Sequence, residues 1–292
     1  MPGVSSGQRS LLVILMGYHT NIDIARKRPL RYHRTTGLML SQMQELVRRA
    51  QDALTSPWNK KTGRPKSCGL YRAVEVACVY LRQNCTQELL GDLQGISQST
   101  VSRITSVLVP IVKAVLEEFV PDVKNAIRMV KGRAVLVDGA ITPCWSYAAH
   151  PELWSRKKGT TGFNAQLVSL LDGAAVYVSD PLPGKTHDAA AFTETPIAEI
   201  VENSGGAIAD KGYQGHVEAT PRKTPPRGKL SKSDKESNAE ISALRAPIKR
   251  MVAHFKNWKV LHTDYRRPYN TYRDAYDAAR GLFFFSITWG FE

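Results

Sequence analysis

The chain has 292 residues, 42% of them hydrophobic, which suffices for a full core and suggests one large domain plus a smaller one. Its 40 Lys+Arg against 26 Asp+Glu give a formal charge of +14, which favours a polyanionic partner, nucleic acid before membrane. The four cysteines (Cys68, Cys78, Cys85, Cys144) show no CxxC pairing, which argues against zinc ribbons and secreted disulfide frameworks and fits a reducing interior.

The apolar run at 11–16 (LLVILM) is too short to span a bilayer, and no small-residue cleavage site follows it. It reads as a packing segment or as an upstream extension of the start codon. The polar, basic stretch 58–67 (WNKKTGRPKS) marks a linker. We therefore divide the chain into an N-terminal segment 1–60, a helical domain 61–130 and an α/β domain 131–292.

In the helical domain the letters at 70–83 (LYRAVEVACVYLRQ) carry apolar residues at helical spacing. A short second helix follows at 85–93, with Thr86 as N-cap and Glu88 in its first turn. Gly95 turns the chain, and Ser97 caps a third helix whose buried stripe is Val101, Ile104, Leu108 and Val109. Helix, short helix, glycine turn, helix is the order of a helix-turn-helix module. Its third helix would present Ser97, Gln98, Ser99, Ser102 and Arg103 to base edges and phosphates of double-stranded DNA. The alternative is an ordinary three-helix bundle.

Beyond residue 122 the period changes. The run at 134–139 (AVLVDG) reads as a buried strand ending in Asp138. Two further strands, 163–172 and 174–180, are separated by Asp-Gly, a tight hairpin signal. A loop (PLPGKTHD, 181–188) leads into a helical stretch at 189–203 that contains a proline, and 206–213 reads as a fourth strand carrying Asp210. A basic, Pro-rich loop at 220–235 precedes a long helical region, 237–261, broken once by Pro247. This order describes a mixed sheet with helices on its faces.

The positive charge is unevenly placed: from Lys211 to Arg273 there are 15 basic and 5 acidic residues, so +10 of the +14 falls there. Arg222, Lys223, Arg227, Arg266 and Arg267 are the candidates for following a DNA backbone, although a solvated basic face has the same composition. Asp138 and Asp210, 72 residues apart, would meet at one sheet edge if their strands are neighbours. Two carboxylates with open positions left to water and phosphate are how Mg²⁺ is held in phosphoryl-transfer sites.

Taken together, VDGAITP at Val137–Pro143, FNAQLVSLLDG, the loop LPGKTHD, ADKGYQG at Ala209–Gly215, LRAPIKRMVAHFKNWKVL and YRRP at Tyr265–Pro268 resemble the DDE transposases of bacterial insertion sequences and their eukaryotic Harbinger-like relatives. The resemblance implies a ribonuclease-H-like catalytic domain behind an all-α helix-turn-helix domain. It further implies two divalent metals, Mg²⁺ or Mn²⁺, held by two aspartates and a glutamate, which activate water or a 3′-hydroxyl against a DNA phosphodiester. The partners implied are the terminal repeats of a mobile element and its target DNA, with no membrane, and a homodimer or larger assembly when two ends are synapsed. The location implied is cytoplasmic and nucleoid-associated in a bacterium, nuclear in a eukaryote.

Asp138 matches the first acid of that family and Asp210 the second. The third falls four residues after Arg245, and there the chain has Lys249. A protonated lysine cannot ligate Mg²⁺, and Glu240, nine residues back across Pro247, and Glu236, further back still, are unconvincing substitutes. Three outcomes remain: activity through another ligand, a transposase-derived DNA-binding protein with an emptied site, or a structural or regulatory DNA-binding factor that only shares the fold. In the second case the ammonium of Lys249 is expected between Asp138 and Asp210 as a tethered counter-ion. His187 is expected to play a structural part beside Asp188.

Overall fold

A computed structural model describes residues 32–59, 66–145, 147–225 and 228–289. The apolar run at 11–16, most of the linker and Arg227 lie outside the described residues.

The first half is helical: α1 (Tyr32–Thr36), α2 (Leu40–Ala53), α3 (Leu70–Gln83), α4 (Gln87–Gln94), α5 (Gln98–Leu116) and α6 (Val123–Val130). Local chemistry explains these limits. The Thr86 side chain accepts the Leu89 N–H at the start of α4, and Ser97 accepts the Thr100 N–H at the start of α5. Between them Gly95 takes φ +61°, which glycine adopts without steric cost. Gly91 is needed for a different reason: a Cβ there would lie 2.6 Å from the Ile96 carbonyl oxygen, so a side chain would push the two helices apart.

The second half is a six-stranded mixed sheet: β1 (Val135–Pro143), β2 (Trp154–Ser155), β3 (Thr160–Leu170), β4 (Ala175–Val178), β5 (Leu182–Pro183) and β6 (Ala207–Ile208). Strand order is β2-β3-β1-β6, and β4 and β5 also pair with β3. β1 and β3 run antiparallel from Val135↔Leu170 to Pro143↔Gly162, and β6 lies parallel to the start of β1. The Asp-Gly turn between β3 and β4 forms with Gly173 at φ +96° and the Asp172 carboxylate accepting the Ala174 N–H at 2.8 Å.

Helices cover both faces: α7 (Asp188–Glu194) and α8 (Ile197–Glu202) with α6 on one, α10 (Ala246–Lys256) and α11 (Tyr272–Thr288) on the other. Alternation along β1 sends Val135 and Val137 to the first face and Leu136 and Ala140 to the second. The second core is continuous with that of the helical half, because α11 packs along α5 so closely that a Cβ at Gly281 would lie 2.9 Å from the Leu116 Cβ. Gln42 of α2 closes the arrangement by donating to the Ser286 and Trp289 carbonyls.

Three expectations need correction. β1 continues five residues past Asp138, because β3 pairs with its whole length, so this acid sits mid-strand. The expected strand at 206–213 is two residues long: Ala209 bonds to Ala219 instead, and 211–213 coils into a 3₁₀ turn. Pro196 splits the expected helix at 189–203 into α7 and α8, whereas the break expected at Pro247 does fall there, between α9 (Lys232–Leu244) and α10. The sequence reading also passed over α2 and α11, which build much of the shared core.

Candidate active site and DNA-contacting surface

The acids are positioned by register. β6 pairs with β1 as Val135↔Ala207 and Leu136↔Ile208, and Asp210 follows two residues after this pairing ends, at the start of the 3₁₀ turn. Period two also places Asp138 on the face of Leu136, towards the start of α10.

Arg245 meets the acids there. It closes α9 and precedes α10, with Pro247 at the first turn of the new helix, where a missing N–H costs nothing. Its guanidinium reaches both acids: Nη2 lies 3.2 Å from Asp138 Oδ1 and Nη1 lies 3.2 Å from Asp210 Oδ1. The residue is 5% exposed, and among the described residues its Nε has no hydrogen-bond partner. Burial raises the pKa of Asp138, with the charge of Arg245 and the Gly139 N–H acting against it. Asp210 is also pushed up by burial, but the Lys211 N–H and the charges of Arg245 and Lys157 outweigh this and hold its carboxyl below the usual range.

A third carboxylate, Asp188, opens α7, and Lys157 Nζ sits 2.5 Å from its Oδ2. It explains two glycines in the motifs. A Cβ at Gly139 would lie 2.8 Å from Asp188 Oδ1, and one at Gly212 would lie 2.6 Å from Oδ2. The glycines beside the two family acids thus make room for this one. Tyr213 braces the floor by donating to Gln166, whose amide donates in turn to Asn164. Asn164 also holds the 181–188 loop through the Thr186 carbonyl. His187 is exposed on that loop, next to Asp188.

Lys249 does not stand between the acids. Its side chain is exposed, and the cation in that place is Arg245, one helical turn earlier and anchored where the helix breaks. The sequence offered no signal for this, because Arg245 was used only to count towards position 249. Asp138, Asp188 and Asp210 line a cavity of about 420 Å³ whose other wall carries Trp154, Arg156, Lys157, Lys158 and Lys185.

As arranged, these residues do not form a divalent-metal centre. One guanidinium bridges two of the carboxylates, an ammonium neutralises the third, and position 249 supplies no oxygen. Among the described residues no group of three or more His, Cys, Asp or Glu side chains is set to hold a metal ion.

On the helical half, Gln98, Ser99 and Arg103 are exposed at the start of α5 and Ser102 is half-buried. Ser97 Oγ is already engaged with the Thr100 N–H, and Gln98 donates to Gln87 at 2.8 Å. Arg266 is exposed and Arg267 half-buried, and both bond to the helical half: Arg266 donates to the Asn84 carbonyl, and Arg267 to Thr105 and Ser106, tying the sheet half to the end of α3 and to α5. Arg222 pairs with Asp234 at 2.6 Å, and Lys223 is exposed.

Two family profiles match successive parts of the chain. The profile of the family described as DDE superfamily endonuclease matches residues 137–282, and that of the helix-turn-helix of DDE superfamily endonuclease matches 76–118. A protein of Streptomyces albus G named as a transposase for insertion sequence element IS112 is 28% identical over 69% of this chain and 74% of its own. One of Microchaete diplosiphon, named as a transposase for insertion sequence element IS702, is 24% identical over 78% of this chain and 84% of its own. No solved structure matches. Among the described residues no helix is long and apolar enough to cross a membrane.

Proposed function

Because the chain belongs to the DDE superfamily endonucleases, we propose that it is a transposase that binds the double-stranded ends of a mobile element and acts on them by strand cleavage and strand transfer. The observation that carries this is the placement of Asp138 and Asp210 at one point of the sheet, beside a basic cavity and behind a helix-turn-helix. The names of the two relatives support the insertion-sequence branch, and kinship with Harbinger-like elements belongs to the same reading. Location at the bacterial nucleoid and a dimer that pairs two ends follow from it.

In this reading α5 enters the major groove, with Gln98, Ser99, Ser102 and Arg103 at the base edges and Ser97 holding the helix start. Arg222, Lys223, Arg227 and the exposed Arg266 follow the phosphates, while Arg267 fixes α5 against the catalytic half. The lysines around the cavity draw a phosphodiester towards the acids. Enzymes of this superfamily generally use divalent metals. No step is assigned to one here, since the donor set does not fit.

That misfit favours a second reading, a transposase-derived protein that binds ends without cutting them. Exposed Lys249 at the third-acid position carries it. One experiment separates the two: nicking of an element-end duplex in Mg²⁺ or Mn²⁺ by the unaltered chain and by Lys249→Glu. If both nick alike, the chain is an active enzyme with its third ligand elsewhere. If only the glutamate variant nicks, the second reading stands. Failure of the unaltered chain to prefer element ends over random duplex would defeat both.

A further inference from the structure

The hairpin joining β2 to β3 places a large aromatic ring where the acids alone would not need one. Trp154 is 48% exposed, although it lines the cavity that holds Asp138, Asp188 and Asp210. Tryptophan that serves packing is buried, as Trp258 is at 1%. Its neighbours along the turn are Arg156, Lys157 and Lys158, and only Lys157 is tied to an acid of the site.

The charges around the ring point to a phosphate. Lys185, Arg156 and Lys158 are all exposed on the cavity wall. Like charges that face one another across a cleft are eased by an anion between them. A flat π-face beside unpaired cations suits a nucleotide, since any base can stack and the charges track the backbone.

We propose that this part of the cavity is a nucleotide subsite, in which the Trp154 indole stacks an unpaired base at the end of a DNA strand while Arg156, Lys158 and Lys185 hold the adjoining phosphates. The inference deepens the DNA-end reading and rests on it. It adds that the end is bound frayed: one base leaves the duplex and lies on the indole, which sets the next phosphodiester beside Asp138 and Asp210.

The test uses the full chain and an element-end duplex carrying 2-aminopurine as a single unpaired terminal nucleotide. Binding should quench the probe. Trp154→Ala should abolish the quenching and weaken binding of the frayed duplex roughly 10-fold, with a smaller loss on fully paired duplex, whose end must open before its base can stack. Trp154→Phe should retain part of both effects. Trp145→Ala, which removes another exposed tryptophan outside the cavity, should change neither, and thermal melts of all three variants check that they fold. Normal binding of paired duplex with a probe signal indifferent to Trp154→Ala overturns the subsite alone. Failure of the unaltered chain to bind any duplex overturns the DNA reading and the subsite with it.

Discussion

The helical half and the sheet half handle polar groups in opposite ways. At the front of α5 each polar side chain is exposed or satisfied by a neighbour a few residues away, as Ser97 is by Thr100. At the acid site the pairings span long stretches of chain: Arg245 with Asp138 and Asp210, and Lys157 with Asp188. The first region owes its shape to local capping and turn geometry. The second exists only when five separate segments have docked, and it holds a guanidinium that is almost fully removed from water.

Removing that guanidinium should have the largest effect. Arg245→Ala leaves two adjacent carboxylates, one of them mostly buried, without their counter-charge, and should cost about 3–5 kcal/mol in urea unfolding. A loss below about 1 kcal/mol would mean that the bridge does not organise the site, and the contrast with the helical half would collapse. Next is Gly91→Ala, where a methyl group against the Ile96 carbonyl should cost about 1–3 kcal/mol and weaken binding of end DNA by misplacing α5. Unchanged stability would show that the turn yields.

Ser97→Ala sharpens the comparison on the helical side. If the hydroxyl is a cap, the change costs roughly 1 kcal/mol of stability and leaves base preference alone. Altered sequence preference at equal stability would make it a base contact instead. The smallest effect is expected at Asp180, an exposed acid of the sheet half. Burial pushes its carboxyl up, but Arg273 and Arg280 bring it below the usual range. Its folded pKa is thus the lower one, so its contribution is present above about pH 4 and lost as pH falls through the folded value. Asp180→Asn should flatten the acid limb of a melting-temperature profile by a few tenths of a kcal/mol, as befits an exposed pair.

The same contrast explains what could be read from sequence. Thr86, Gly95 and Ser97 announce their helices because capping and left-handed turns act within a few residues. The Asp-Gly hairpin and the periodic stripe of α5 were legible for that reason too. Asp138 and Asp210 stood out as acids in apolar runs, but nothing near them in sequence names the partner that neutralises them. Arg245 and Lys157 are specified by docking, and a lysine at 249 looked like the counter-ion only because the family pattern drew attention to that position. The length of β1 was misjudged for a related cause: β3 alone decides how far it extends. α11 escaped notice because its first half sets Arg273, Asp274, Asp277 and Arg280 among the residues it buries, so no clean stripe marks it.

That last helix also bears on how the protein is made. α5, which would read DNA, finds its main packing partner in α11, more than 150 residues downstream, and Gln42 of α2 bonds to the final turn of the same helix. During synthesis the face of α5 that packs on α11 therefore stays uncovered until Tyr272–Thr288 has emerged. A product broken off before Tyr272 would carry every letter of the helix-turn-helix and still lack the surface that holds it in place. On the proposed function, a chain cut there would hold end DNA less firmly than the chain that includes α11.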